Sequence, residues 1–278
     1  MIAATPSRKP KAPGVMRRLR RNPLAVAGLI YLAAMALIAL FAPVLAPYSF
    51  TQQQLAHAQQ PPSAGHLLGT DDLGRDTLSR LMYGARISLT VAAAVETFVV
   101  VIGASVGLTA GYFGGVIDGA LMRATDVLLA FPDILLAILL LGILALGITG
   151  WPPLARLIRG QVLTLRKREF VEAARALGAT DGRIIFRHIL PNLLSPVLVA
   201  VTVDTAGVIV AEATLSFLGI GIQRPYPSWG RMINDALDYY RYNPLLLILP
   251  SALLSLTVLA LNFLGDGLRD ALDPRDRT

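Results

Sequence analysis

Long apolar runs, broken by short polar or charged stretches, set the pattern of this chain. Residues 24–46, 87–113, 192–215 and 244–263 are predominantly apolar. Each approaches or exceeds the roughly 20 residues an α-helix needs to cross a hydrocarbon core about 30 Å thick. Pro43 and Pro47 mark the outer end of the first run. The segment 116–155 is weaker, because Asp118, Arg123, Asp126 and Asp133 interrupt its first half. A basic tail at 1–22 and a basic island at 156–187 belong on one side of a bilayer. That parity requires two crossings between them, each near 18 residues or ~27 Å. The expectation is two short or tilted helices with a tight outer turn near Gly142 or Gly147. The fold class predicted is all-α: a polytopic helical membrane protein of about six spans.

Within the basic island, Phe170, Ala173, Ala174 and Leu177 recur at i, i+3, i+4 and i+7, one face of a helix, with Glu172 and Arg175 off that face. Gly178 ends this helix, since glycine tolerates a left-handed C-terminal stop. Thr180 or Asp181 caps a second short helix with Ile184, Ile185 and Ile189 as its apolar positions. Pro191 suits the first turn of the helix that follows. An amphipathic helix between two spans must bury its face. Two surfaces satisfy it: lipid headgroups, or a groove on a soluble partner.

Composition agrees with membrane residence. Of 278 residues 54% are hydrophobic and 15% charged, where a soluble domain carries about 25% charged residues. The net charge of +7 sits beside the apolar runs and is no nucleic-acid signal. Cysteine is absent, which excludes disulfides and thiol chemistry, and the three histidines (His57, His66, His188) do not suit a multi-His metal site. The run at 24–46 is longer than a signal-peptide core, so it reads as a first span. Between 66 and 76, Asp71, Asp72 and Asp76 stand among glycines, but their spacing does not fit an EF-hand. A structured outer loop with local ion pairs is expected, followed by an amphipathic helix along the outer interface at 78–88.

Ionisable residues inside spans are costly and face protein or water. Glu96 falls well inside the second run; Asp204 and Glu212, eight residues apart, lie with Thr202 and Thr205 on the run 192–215, the fifth expected span. Each suits either a translocation path or an interhelical hydrogen bond. The stretch from 212 to 230 is too polar and glycine-rich to cross, and reads as an external loop or a covered re-entrant turn. Trp229, Tyr239, Tyr240 and Tyr242 suit an interfacial aromatic belt. No Gly-Lys pair and no His-Glu-x-x-His occurs, so the chain has no phosphate-binding loop or zinc-protease motif.

Glu172-Ala173-Ala174, then three residues, Gly178, nine residues and His188-Ile189-Leu190-Pro191 resemble the loop of the inner-membrane permeases of bacterial ABC importers. His188 departs, standing where the family pattern has isoleucine. The stretches at 66–76, 212–221, 227–230 and 265–275 resemble the dipeptide, oligopeptide and nickel subgroup. The region around 143–150 looks shortened against that family. The resemblance implies a coupling helix seated on an ATPase, carried by Phe170, Glu172, Ala173, Ala174, Leu177, Gly178 and Arg183. It implies a translocation path beside Glu96, Asp204, Thr205 and Glu212. It implies a second permease subunit, two ATPase subunits and an extracytoplasmic substrate-binding protein as partners, in the bacterial inner membrane with both termini cytoplasmic. ATP and Mg would be bound by the partners, with no cofactor or metal on this chain. The implied organisation is a basic tail (1–22), a first helix and external loop (23–86), a permease core (87–265) with its coupling loop at 156–190, and a C-terminal tail (266–278). Peptides are the implied cargo, with nickel or another small solute second. A secondary transporter or a membrane-embedded enzyme fits less well, because neither needs the 172–191 pattern.

Overall fold

A computed structural model describes residues 15–139 and 143–272. The described residues form helices and turns: α1 (Val15–Leu19), α2 (Pro23–Leu45), α3 (Thr77–Phe113), α4 (Gly115–Leu129), α5 (Asp133–Leu139), α6 (Ile143–Leu165), α7 (Glu169–Ala176), α8 (Asp181–Ile184), a π-helical turn (Ile185–Ile189), α9 (Leu190–Phe217), α10 (Trp229–Ala236) and α11 (Leu245–Leu272). Four helical stretches are long and apolar enough to cross a membrane: Pro23–Leu45, Thr77–Phe113, Asp181–Phe217 and Leu245–Leu272. Helix α6 is 23 residues long but is not one of the four; it carries two prolines, Arg156 and Arg159.

The closest helix pair is α3 with α6. Gly103, Gly107 and Gly111 repeat every four residues and so share one face of α3. A Cβ on Gly107 would lie 2.6 Å from the Ala155 carbonyl oxygen, and one on Gly111 2.7 Å from Val162 Cβ. Without side chains there, the two backbones approach closely, as small-residue stripes allow in membranes. Gly103 meets Leu154, Gly107 meets Ile158 and Gly111 meets Val162, so the two helices run parallel. The chain between them must therefore return: α4 and α5 climb back, and α6 descends again. These traverses occupy 115–139 and 143–165, longer than the ~18 residues expected, because α6 continues through Arg156 and Arg159 to Leu165. Of the two expected turn positions, Gly147 lies inside α6 and Gly142 lies outside the described residues. The charges on these traverses answer each other. Arg159 donates to Asp118 at 2.6 Å and Arg156 to Asp126, pinning α4 to α6.

Three other expectations change. No separate interfacial helix forms at 78–88, because those residues are the opening turns of α3, capped by Asp76, which accepts from the Ser79 N–H at 2.8 Å. Trp229 is not in an interfacial belt. It is fully buried, packed with Leu81 and Ala85 against the small residue Gly84. Tyr240 and Tyr242 are exposed. The last helix does not stop near 263 but runs to Leu272, where Ala271 packs with Leu19 and Ala25. Residues 1–14, with Arg8, Lys9 and Lys11, and 273–278 lie outside the described residues.

The loop before α3 is held by charge. Arg75 donates to Asp71 at 2.7 Å, Arg80 pairs with Asp71 and Asp235, and His66 Nδ1 lies 3.0 Å from Asp76. Asp235 on α10 also pairs with Arg224 and Arg231. The three loop acids are thus engaged within the protein, Asp71 and Asp72 by Arg75 and Asp76 by His66 and Ser79. The 218–228 segment folds back over α9, with the Ile222 N–H donating to Ser216 Oγ at 3.0 Å.

Candidate functional site

At the end where α3 and α6 finish, α7 and α8 form a small knob. One apolar cluster reaches from the bundle into it. Val99, Ile158 and Val162 are buried together with Val171, Ile184, Ile189 and Leu193. Val171 is the residue of α7 that faces inward. Polar contacts add to this grip. Tyr112 donates its hydroxyl hydrogen to Asp181 at 2.6 Å, and Arg166 donates to the Gly111 and Tyr112 carbonyls at 3.0 and 3.2 Å. Arg166 thereby satisfies carbonyls that the end of α3 leaves open.

The turn between the two short helices is locally determined. Ala179 N–H donates to Ala174 O and Gly178 N–H to Arg175 O, both at 3.0 Å, a Schellman arrangement. It requires a left-handed residue, and Gly178 has φ +79°. Of the two candidate caps, Thr180 is the one used: its hydroxyl accepts from the Arg183 N–H. Asp181 serves the Tyr112 contact instead. The π-helical turn has a cause next to it. Pro191 lacks an N–H and its ring crowds the carbonyl four residues back, so the turn widens and Leu190 N–H reaches Ile185 O. Asn192 Nδ2 donates to the His188 carbonyl at 2.6 Å. The second short helix therefore runs on into α9 as one stretch, Asp181–Phe217.

The predicted apolar face of α7 is its free face. Phe170 is 42% exposed and Leu177 89% exposed, Ala173 is exposed and Ala174 half-buried. Glu172, Gly178 and Arg183 are exposed as well. Sequence reasoning missed two members: Val171, which anchors the knob, and Phe186, 70% exposed beside it. A single β-branched residue out of phase with the apolar stripe was the available signal for Val171. The His188 ring sits 6.5 Å from that of Phe170. The knob thus combines a rigid base with an uncovered apolar surface.

The second group of predicted residues does not form one cluster. Glu212 is fully buried. It accepts from Ser88 Oγ at 2.9 Å and Ser216 Oγ at 2.7 Å, with Ser228 as a third partner. It joins α3, α9 and the start of α10. Glu96 and Asp204 meet across α3 and α9, their carboxyls side by side. Glu96 and Thr205 line one cavity of about 460 Å³, and Asp204 lines a neighbouring one of about 410 Å³. Gly103-Ala104-Ser105-Val106-Gly107 spells Gly-x-Ser-x-Gly, but it lies in mid-helix and not on a strand-to-helix turn. Ser105 donates to the Val101 carbonyl, and the glycines serve packing.

Residues 103–278 match the family described as binding-protein-dependent transport system inner membrane component, and residues 14–62 match the N-terminal TM domain of oligopeptide transport permease C. The dipeptide transport system permease protein DppC of Alkalihalophilus pseudofirmus is 44% identical over 268 residues, covering 93% of this chain and 88% of that protein. The oligopeptide transport system permease protein OppC of Bacillus subtilis is 42% identical, covering 94% and 89%. The glutathione transport system permease protein GsiD of Pectobacterium atrosepticum is 43% identical, covering 93% and 89%. In fold, the chain is similar to one chain of the inward-facing MetNI methionine ABC transporter. The TM-score is 0.56 at 23% identity, over 72% of this chain and 97% of that one. This chain therefore belongs to the inner-membrane components of binding-protein-dependent transport systems, in their C-type dipeptide and oligopeptide subgroup, and is a multi-pass permease of the ABC importer class.

Proposed function

We propose that this chain carries peptides across the bacterial inner membrane, and that it draws its driving force from separate ATPase subunits through the α7–α8 knob. The relatives' names supply the cargo class: dipeptides, oligopeptides and glutathione share a peptide backbone. The observation that carries the coupling role is the knob's construction. Phe170, Leu177 and Phe186 stand uncovered on an element whose base is locked into α3, α6 and α9. An apolar surface on a rigid lever suits a cleft on a moving partner better than lipid, because force applied there passes directly into the spans. A second permease, two ATPases and an external binding protein complete the assembly. The ATPases hold ATP and Mg, and this subunit performs no chemistry of its own. The knob end, with both termini, faces the cytoplasm, and the Asp71–Asp235 end faces outward.

Replacing Leu177 by Asp tests this. Burial of a leucine side chain contributes about 2 kcal/mol, so association with the ATPase should weaken roughly 30-fold. Insertion into the membrane should be unchanged, because Leu177 touches solvent. ATPase copurification and peptide uptake equal to the unaltered chain would refute the role of the knob.

A further inference from the structure

Near the middle of α3, Glu96 is only 6% exposed, and neither carboxylate oxygen receives a hydrogen bond from an N–H or hydroxyl group among the described residues. Its neighbour is another carboxyl, that of Asp204. The two carboxyls hydrogen-bond each other, and an acidic pair inside a membrane bundle marks a functional position by default. The cavity beside it sharpens the chemistry. Its polar side chains are Glu96, Thr97 and Thr205; the rest of its lining is alanine, valine, leucine and isoleucine. Both threonine hydroxyl hydrogens are already committed, Thr97 to the Ala93 carbonyl and Thr205 to the Val201 carbonyl, each at 2.7 Å. On the Asp204 side, Thr149 is likewise committed, to the Ala145 carbonyl at 3.0 Å. The Glu96 cavity therefore offers acceptors and apolar walls, and its side chains offer no free donor. A carboxylate, a phosphate or a neutral amide oxygen finds nothing there to bind. A group with several N–H donors, a positive charge and an apolar body fits every feature.

We propose that Glu96, Asp204 and Thr205 form an intramembrane site for an organic ammonium group, such as the free amino terminus of a peptide whose apolar side chain fills the adjoining cavity. This rests on the reading of the chain as a translocating permease, and deepens it. The test has two arms. In the first, the full chain in lipid nanodiscs is titrated with 2-phenylethylammonium and, as the uncharged counterpart, 2-phenylethanol. The ammonium should bind about tenfold tighter, the range of a hydrogen bond to a charged group. Glu96→Gln should erase that preference, and Thr205→Val, which removes an acceptor and no charge, should weaken ammonium binding about threefold. Equal binding of the two probes overturns the site. So does a preserved preference in a Glu96→Gln chain that melts like the original. Binding by the isolated chain that vanishes in the assembled transporter also overturns it, since a basic side chain of the second permease would then be the true occupant. In the second arm, uptake of a free-amine peptide is compared with that of its N-acetyl form. Discrimination lost in Glu96→Gln supports the proposal. A binding preference in nanodiscs with no discrimination in uptake leaves the site standing and removes it from the translocation path.

Discussion

Gly178 and Asp72 illustrate two ways a single residue can matter. At Gly178 the backbone is left-handed, yet a Cβ would meet nothing within 4 Å. Gly178→Ala therefore carries only the conformational cost of that region, about 1 kcal/mol, and loosens the α7–α8 turn without disturbing the bundle. Transport per ATP hydrolysed should fall while insertion and melting stay near the original; an unchanged ratio would show that the turn does not transmit force. Asp72 behaves differently. Partial burial, and then the adjacent Asp71 charge, hold its carboxyl above the usual range, against the pull of Arg75. For an acid raised in the folded state, ionisation costs stability. The fold accordingly gains stability as pH falls through the folded value, and the gain is complete below the unfolded value near ~3.9. Asp72→Asn removes this dependence, so thermal melting between about pH 7 and pH 4 should flatten relative to the original. A profile of unchanged slope would mean that another group sets it.

Among the elements, the α3–α6 pair shows how little room a membrane core leaves. Gly107 sits where a Cβ would be 2.6 Å from a carbonyl oxygen and 2.8 Å from Ile158 Cβ. Gly107→Ala should cost about 1–3 kcal/mol by overpacking, and Gly107→Val more. Melting temperatures in detergent should fall in that order. Equal stability of all three would mean that the helices separate freely. Gly103, Gly107 and Gly111 stand four apart in the sequence, but that spacing was not read as a packing stripe, and what it packs against only the folded chain shows. The knob was readable to a greater degree. Its helix, its glycine stop and its proline exit all follow from local rules, and the structure places each within a residue or two of the expected position. Which face of α7 turns inward was not local information. Val171, out of phase with the stripe, is buried because Ile184 and Ile189 come back to meet it.

For the whole molecule, sidedness is the property on which the proposed mechanism depends. The chain has no cysteine, so single cysteines report without background. Arg175→Cys on the knob and Leu67→Cys in the loop before α3 are both at exposed positions. In intact cells a membrane-impermeant maleimide should label the second and spare the first; in inverted vesicles the order should reverse. Labelling of Arg175→Cys in intact cells would remove the knob from the cytoplasm and end its coupling role. The parallel α3–α6 pair makes a definite commitment here, since it demands a complete return traverse through 115–139.

The linear chain settles much of this protein: its helical class, its residence in a bilayer, the amphipathic loop between spans and the capping chemistry of that loop. Those properties follow from interactions within a few residues or from transfer into lipid, and both are additive along a sequence. Other properties depend on helices distant in sequence coming together. The length of α6 through two arginines depends on Asp118 and Asp126 answering them. The burial of Trp229 depends on Gly84 leaving space. The division of three membrane acids into a serine-bound strut at Glu212 and a facing pair at Glu96 and Asp204 depends on the rotation of α9 against α3. No local pattern encodes that rotation, because a polar residue on a helix states only that it needs a partner, and packing decides which one it finds.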